Sequence, residues 1–117
     1  VSMKRIKLMA DYQSFPLWWA SPPLVGNIDP SSLPIDSETI RRLNAWACAF
    51  DATWTSEEPR ASGFASAEEE VAFEREGLDL WRHLRKQLQG SYELVYFSQH
   101  QNREYDDPEQ VGDHVHE

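Results

Sequence analysis

The sequence predicts an α+β fold: a small β-sheet covered on one face by two α-helices. Three observations predict it. Residues 4–10 alternate apolar and polar side chains up to Leu8, and residues 91–98 carry apolar groups on both sides, as a solvated and an interior strand do. Residues 37–54 and 66–90 repeat apolar side chains at steps of three and four, as helices with one buried face do. The clear strands bracket the helices in chain order, which suits helices layered on a sheet. At 117 residues the chain is long enough for one domain with a real core.

In KRIKLMA (4–10), Ile6 and Leu8 point one way and Arg5 and Lys7 the other, a strand with one solvated face. The polar residues from Asp11 to Ser14 end it. Between 15 and 34, Pro16, Pro22, Pro23, Pro30 and Pro34 forbid a long helix. Leu17–Ala20 with Leu24–Ile28 as its return reads as a short hairpin, and equally as extended loop. Gly26-Asn27 tolerates positive φ, so a tight turn is expected there. Trp18 and Trp19 are adjacent, so in extended chain one faces inward and the other outward.

The first helix starts at the cap Asp36, with Ile35 placed to staple onto Ile40. Its stripe is Ile40, Leu43, Ala47, Phe50 and Trp54, with Trp46 at the edge. TSEEPRASGFA (55–65) is a loop. The second helix opens on a capping box, Ser66 with Glu69. Glu68, Glu69 and Glu70 sit at the positive end of its dipole and Arg82, Arg85 and Lys86 near the negative end. Phe73, Gly77, Leu80, Trp81, Leu84 and Leu88 line its apolar face, and Gly90 stops it. In SYELVYFS (91–98) both sides carry apolar groups, which places this strand inside the sheet. Residues 1–98 thus read as one α+β domain. Residues 99–117, with six acids and Arg103 as the one base, read as a flexible acidic tail.

The balance of 20 acidic against 11 basic residues gives a formal charge of −9. Such a surface repels phosphate backbones, which argues against nucleic-acid binding, and attracts basic partners. Five Trp, five Phe and four Tyr are many for this length, so some are expected at an interface. Cys48 is the one cysteine, which rules out an internal disulfide. No membrane-length apolar run and no secretory segment after Met3 is present, so a cytoplasmic protein without membrane association is expected.

The strongest polar signal is the run from Asp51 to Asp79, nine acids against Arg60 and Arg75. It reads either as a solvated helix face with dipole compensation or as a docking surface for a cationic protein. Trp54 and Phe64 lie within it. A second candidate region is the proline-rich stretch with Asp11, Tyr12 and Asp29 near Trp18 and Trp19, a functional loop or ordinary turn chemistry. Together these nominate Asp11, Tyr12, Trp18, Trp19, Glu57, Glu58, Glu68, Glu69 and Asp79 for contact with a protein partner.

Enzymatic readings find less. Glu69/Glu70, Glu74/Glu76 and Asp106/Asp107 are close in sequence, but helical residues one or two apart do not face each other. His114 and His116 have metal-ligand spacing, yet fall in the expected tail. Cys48 sits among alanines and reads as a buried, inert thiol. The glycine turns lack phosphate-loop spacing. The expectation is a protein with no catalytic residues, no metal and no cofactor.

KLMADY (7–12), PLW (16–18), GNIDP (26–30), SGF (62–64), EEE…FEREG…LW (68–81) and YFS (96–98) are similar to segments of a family of short acidic bacterial proteins. That family resembles the immunity proteins of contact-dependent growth inhibition and related polymorphic-toxin systems. The resemblance covers about residues 3–98. It implies a cytoplasmic, non-enzymatic inhibitor that binds the C-terminal domain of a cognate toxin, commonly a nuclease, and blocks its active site or substrate groove. The alternative is a self-associating housekeeping or regulatory domain.

Overall fold

The computed structural model describes residues 3–22, 24–53, 64 and 66–107. Five strands and two helices follow in the order β1 (Lys4–Leu8), β2 (Leu17–Ser21), β3 (Leu24–Ile28), a 3-10 turn (Pro30–Ser32), α1 (Ser37–Asp51), α2 (Ala67–Gln87), β4 (Tyr92–Ser98) and β5 (Arg103–Tyr105). The strands form one mixed sheet in the order β3-β2-β1-β4-β5. β1 and β4 run parallel at its centre, and every other pair is antiparallel.

The fold is α+β as expected, but the sheet is larger than the two clear strands of the sequence. The hairpin of β2 and β3 forms, and β5 adds a strand beyond Ser98. β5 was hidden by its length of three residues. Its one apolar member, Tyr105, is buried opposite Tyr96, and a single residue makes no period.

Two local expectations are corrected. Gly26-Asn27 is no turn: both residues lie within β3, where Gly26 pairs with Trp19 at φ +121°, a value only glycine adopts without strain. The reversal comes earlier, between Ser21 and Leu24. The Asn27 amide donates to the carbonyls of Phe15 and Leu17 and accepts from the Phe15 N–H, closing the loop before β2. Cys48 is exposed, not buried. One residue is about 100° of helix rotation, so the position after Ala47 turns away from the core.

One face of the sheet carries Ile6, Leu8, Leu17, Trp19, Leu94, Tyr96 and Tyr105, and the helices pack on it. α2 lies against β4, where the Trp81 indole donates to the Leu94 carbonyl at 3.0 Å. α1 packs on α2 and reaches the sheet through Trp46, whose ring stacks on Phe73 at 4.5 Å and lies 6.4 Å from Tyr96. Gly77 permits this approach. A Cβ there would stand 2.6 Å from the Tyr96 hydroxyl and 2.7 Å from the Trp46 ring.

Both helices are capped as their sequences predict. The Asp36 carboxylate accepts the Thr39 N–H at 2.8 Å, and Ser66 Oγ accepts the Glu69 N–H at 3.1 Å. The other face of the sheet, with Arg5, Lys7, Trp18, Val25, Val95, Phe97 and Glu104, carries no helix among the described residues.

Candidate functional site

β1 and β4 are parallel, so Leu8 and Ser98 end at the same edge of the sheet. α2 enters β4 through a short connection and runs antiparallel to it, which puts Ser66–Glu70 at that edge too. α1 crosses α2 in the opposite sense: Arg42 meets Glu76 and Asp79, while Phe50 meets Phe73. Its last turn therefore also arrives there. Four segments from distant parts of the chain converge on one pole of the molecule.

Side chains join these segments. The Gln13 N–H donates to the Asp51 carboxylate at 2.9 Å. The hydroxyls of Tyr12 and Thr53 are 2.8 Å apart, and the Tyr12 ring stacks on Phe50 at 4.5 Å. The Gln99 amide donates to the Ala10 carbonyl at 2.8 Å. His100 Nδ1 lies 3.0 Å from a Glu70 carboxylate oxygen. Beneath the pole, Phe64 and Phe50 pack on Phe73 at 5.0 and 5.8 Å. Asp11, Asp51, Glu68, Glu69 and Glu70 all belong to segments that end at this pole, with Phe50, Phe64 and Phe73 packed beneath it. Glu68 has no ion-pair partner among the described residues.

Of the candidates named from sequence, Asp11, Tyr12, Glu68 and Glu69 fall on this pole. Glu57 and Glu58 lie outside the described residues, as does Trp54. Trp18 and Trp19 divide between the two faces. Trp19 sits on the helix side, 5.9 Å from Tyr92, and Trp18 on the open side, its indole donating to the Met9 carbonyl at 3.0 Å. Asp79 is halfway along α2, bonded to Arg42 at 2.8 Å and 3.5 Å from His83.

The acid run does not act as one surface. Glu76 and Asp79 share the Arg42 guanidinium, which their hydrogen bonds hold well above its ordinary pKa. Glu74 is buried, 2% exposed, and accepts hydrogen bonds from the Tyr96 and Ser98 hydroxyls. Burial, reinforced by the Glu74 charge and hydrogen bond, drives the Tyr96 phenol far above its ordinary range, so it stays a donor. A signal for Glu74 was available in the sequence. It lies three residues before Gly77 and seven before Trp81, on the apolar face.

The opposite end of the molecule holds the basic half of α2 and an open cleft of about 440 Å³. Arg5, Arg85, Asp106 and Asp107 line it around Tyr92. Among the described residues, no group of three or more His, Cys, Asp or Glu is placed to hold a metal ion. His114 and His116 are outside those residues. No described helix is long and apolar enough to cross a membrane.

A family model described as Serratia CdiI immunity protein-like matches residues 4–99. The chain belongs to that family. The match begins with β1 and ends just after β4, so it spans the helices and the four long strands. No curated protein matches the chain. Membership supports an immunity role in general, and with it a protein as the partner.

Proposed function

We propose that this chain is an immunity protein that neutralises a cognate toxin domain by binding it in the cytoplasm, without transforming a substrate. The contact surface is the acidic pole, with Asp11, Tyr12, Glu68 and Glu69 at its centre, and the toxin is a nuclease. Family membership supports the immunity role. The observation that carries the choice of surface is the convergence at one pole of the segments that bear these exposed acids, together with the partly exposed Tyr12 stacked on Phe50. A nuclease groove is cationic because it must hold phosphates. An acidic surface meets that groove with complementary charge, which speeds encounter and sets register. Tyr12 supplies the amphipathic ring that interface centres favour.

The experiment is a titration of the toxin domain encoded beside this chain, with calorimetry and nuclease activity read together. One-to-one binding that weakens with salt and abolishes cleavage supports the proposal. Binding without loss of cleavage removes the immunity role. Inhibition that ignores both salt and an Asp11→Asn, Glu68→Gln double change moves the contact away from the pole.

A further inference from the structure

The sheet ends in two unlike edges. β5 is short, three residues, and carries Arg103 and Glu104. Charges and brevity are how sheets prevent an edge from pairing with another chain. β3 has neither protection. It is a five-residue edge strand, Leu24–Ile28, whose first four residues are exposed, and no charge stands in it. Val25 is 75% exposed, Leu24 beside it is exposed too, and so is Phe15, whose backbone is hydrogen-bonded to the Asn27 side chain. Of the four large exposed hydrophobics among the described residues, only Met3 lies elsewhere.

The surrounding sequence extends this neutrality. No charged residue occurs from Tyr12 to Ile28, in a chain with 31 charged residues among 117. The whole β2–β3 hairpin is therefore uncharged on a molecule of net charge −9.

We propose that β3 is a homodimer edge: it pairs antiparallel with β3 of a second copy, joining two sheets into one of ten strands. Neutrality selects this occupant. Two copies at −9 repel where their acids meet, and along this edge they approach with no like charges opposed. A cationic partner gains nothing from an uncharged strand and is drawn to the acidic pole. A strand placed against its own copy by a two-fold axis is antiparallel, satisfies the free backbone groups of both, and closes the assembly at two. Val25 and Leu24 leave water at that seam. α2 packs over β4, three strands away, so the acidic pole of each copy stays open.

Sedimentation of the full chain across protein concentration tests this. The expected result is a monomer–dimer equilibrium that salt does not weaken, with amide exchange at 24–28 slowing as the dimer forms. Val25→Lys places like charges near each other across the seam and raises the dimer dissociation constant by at least about tenfold, with an unchanged circular dichroism spectrum. Leu24→Lys repeats the result at a second exposed position. A wild-type chain that is monomeric at every concentration overturns the proposal, as does a dimer that both variants leave intact. Toxin inhibition distinguishes the two readings. A monomeric wild type that still inhibits defeats the dimer alone, and a Val25→Lys variant that fails to inhibit assigns the edge to the toxin instead of a second copy.

Discussion

The acids of α2 fall into two groups with opposite surroundings. Glu68 and Glu69, in its first turn, are exposed at the pole. Glu74, Glu76 and Asp79, one to three turns later, face inward or toward α1, held by two hydroxyls and one guanidinium. Both groups belong to one acidic run in the sequence. The difference teaches that charge counted along a chain is not charge offered to a partner. Helical rotation decides which acids see solvent, and tertiary neighbours decide which of the rest are engaged.

The buried half is where this contrast breaks hardest. Glu74→Ala leaves the Tyr96 and Ser98 hydroxyls without their acceptor and opens a void beneath them. A loss of about 3 kcal/mol in urea unfolding is expected. Glu74→Gln keeps an acceptor oxygen and is expected to cost less than half of that. If both variants unfold at the wild-type midpoint, Glu74 is no structural anchor. The same junction has an alkaline limit. Tyr96 loses its proton near pH 10 in the unfolded chain and at much higher pH in the fold. Stability is intact below about pH 10, where the unfolded chain starts to ionise, and falls as pH rises from there, a slope that Tyr96→Phe removes.

Gly77→Ala comes next. Its methyl meets the Tyr96 hydroxyl and the Trp46 ring, so α1 and α2 must separate. The expected cost is about 2 kcal/mol in the same unfolding measurement. An unchanged midpoint would show that the helices yield without strain.

Arg42→Ala frees Glu76 and Asp79 and so moves two engaged acids into the exposed class. Both carboxylates are partly solvated, so the expected loss is about 1 kcal/mol, smaller at high salt. The gain of negative charge is also expected to speed association with a cationic toxin. A slower association would show that Arg42 itself touches the partner.

The smallest effect on stability belongs to the exposed half. Asp11→Asn with Glu68→Gln is expected to leave the unfolding midpoint within about 0.5 kcal/mol of wild type. The association rate with the toxin falls several-fold at low salt and little at high salt. An equal loss at both salt concentrations would assign these residues to packing in place of steering.

The sequence by itself determined the elements whose pattern is local. Helix periods, the caps Asp36 and Ser66, the alternation in β1, the apolar run in β4, and the opposite charges at the ends of α2 are all set by neighbours within a few residues. Only the tertiary structure decided what depends on distant partners. β5 exists because Tyr105 finds Tyr96, Glu74 is tolerated in the core because Tyr96 and Ser98 donate to it, and Asp79 is engaged because Arg42 on another helix reaches it. The pole itself is of this second kind. Asp11 and Glu68 are far apart in the chain, and their segments reach the same end of the molecule because β1 and β4 run parallel while α2 returns between them.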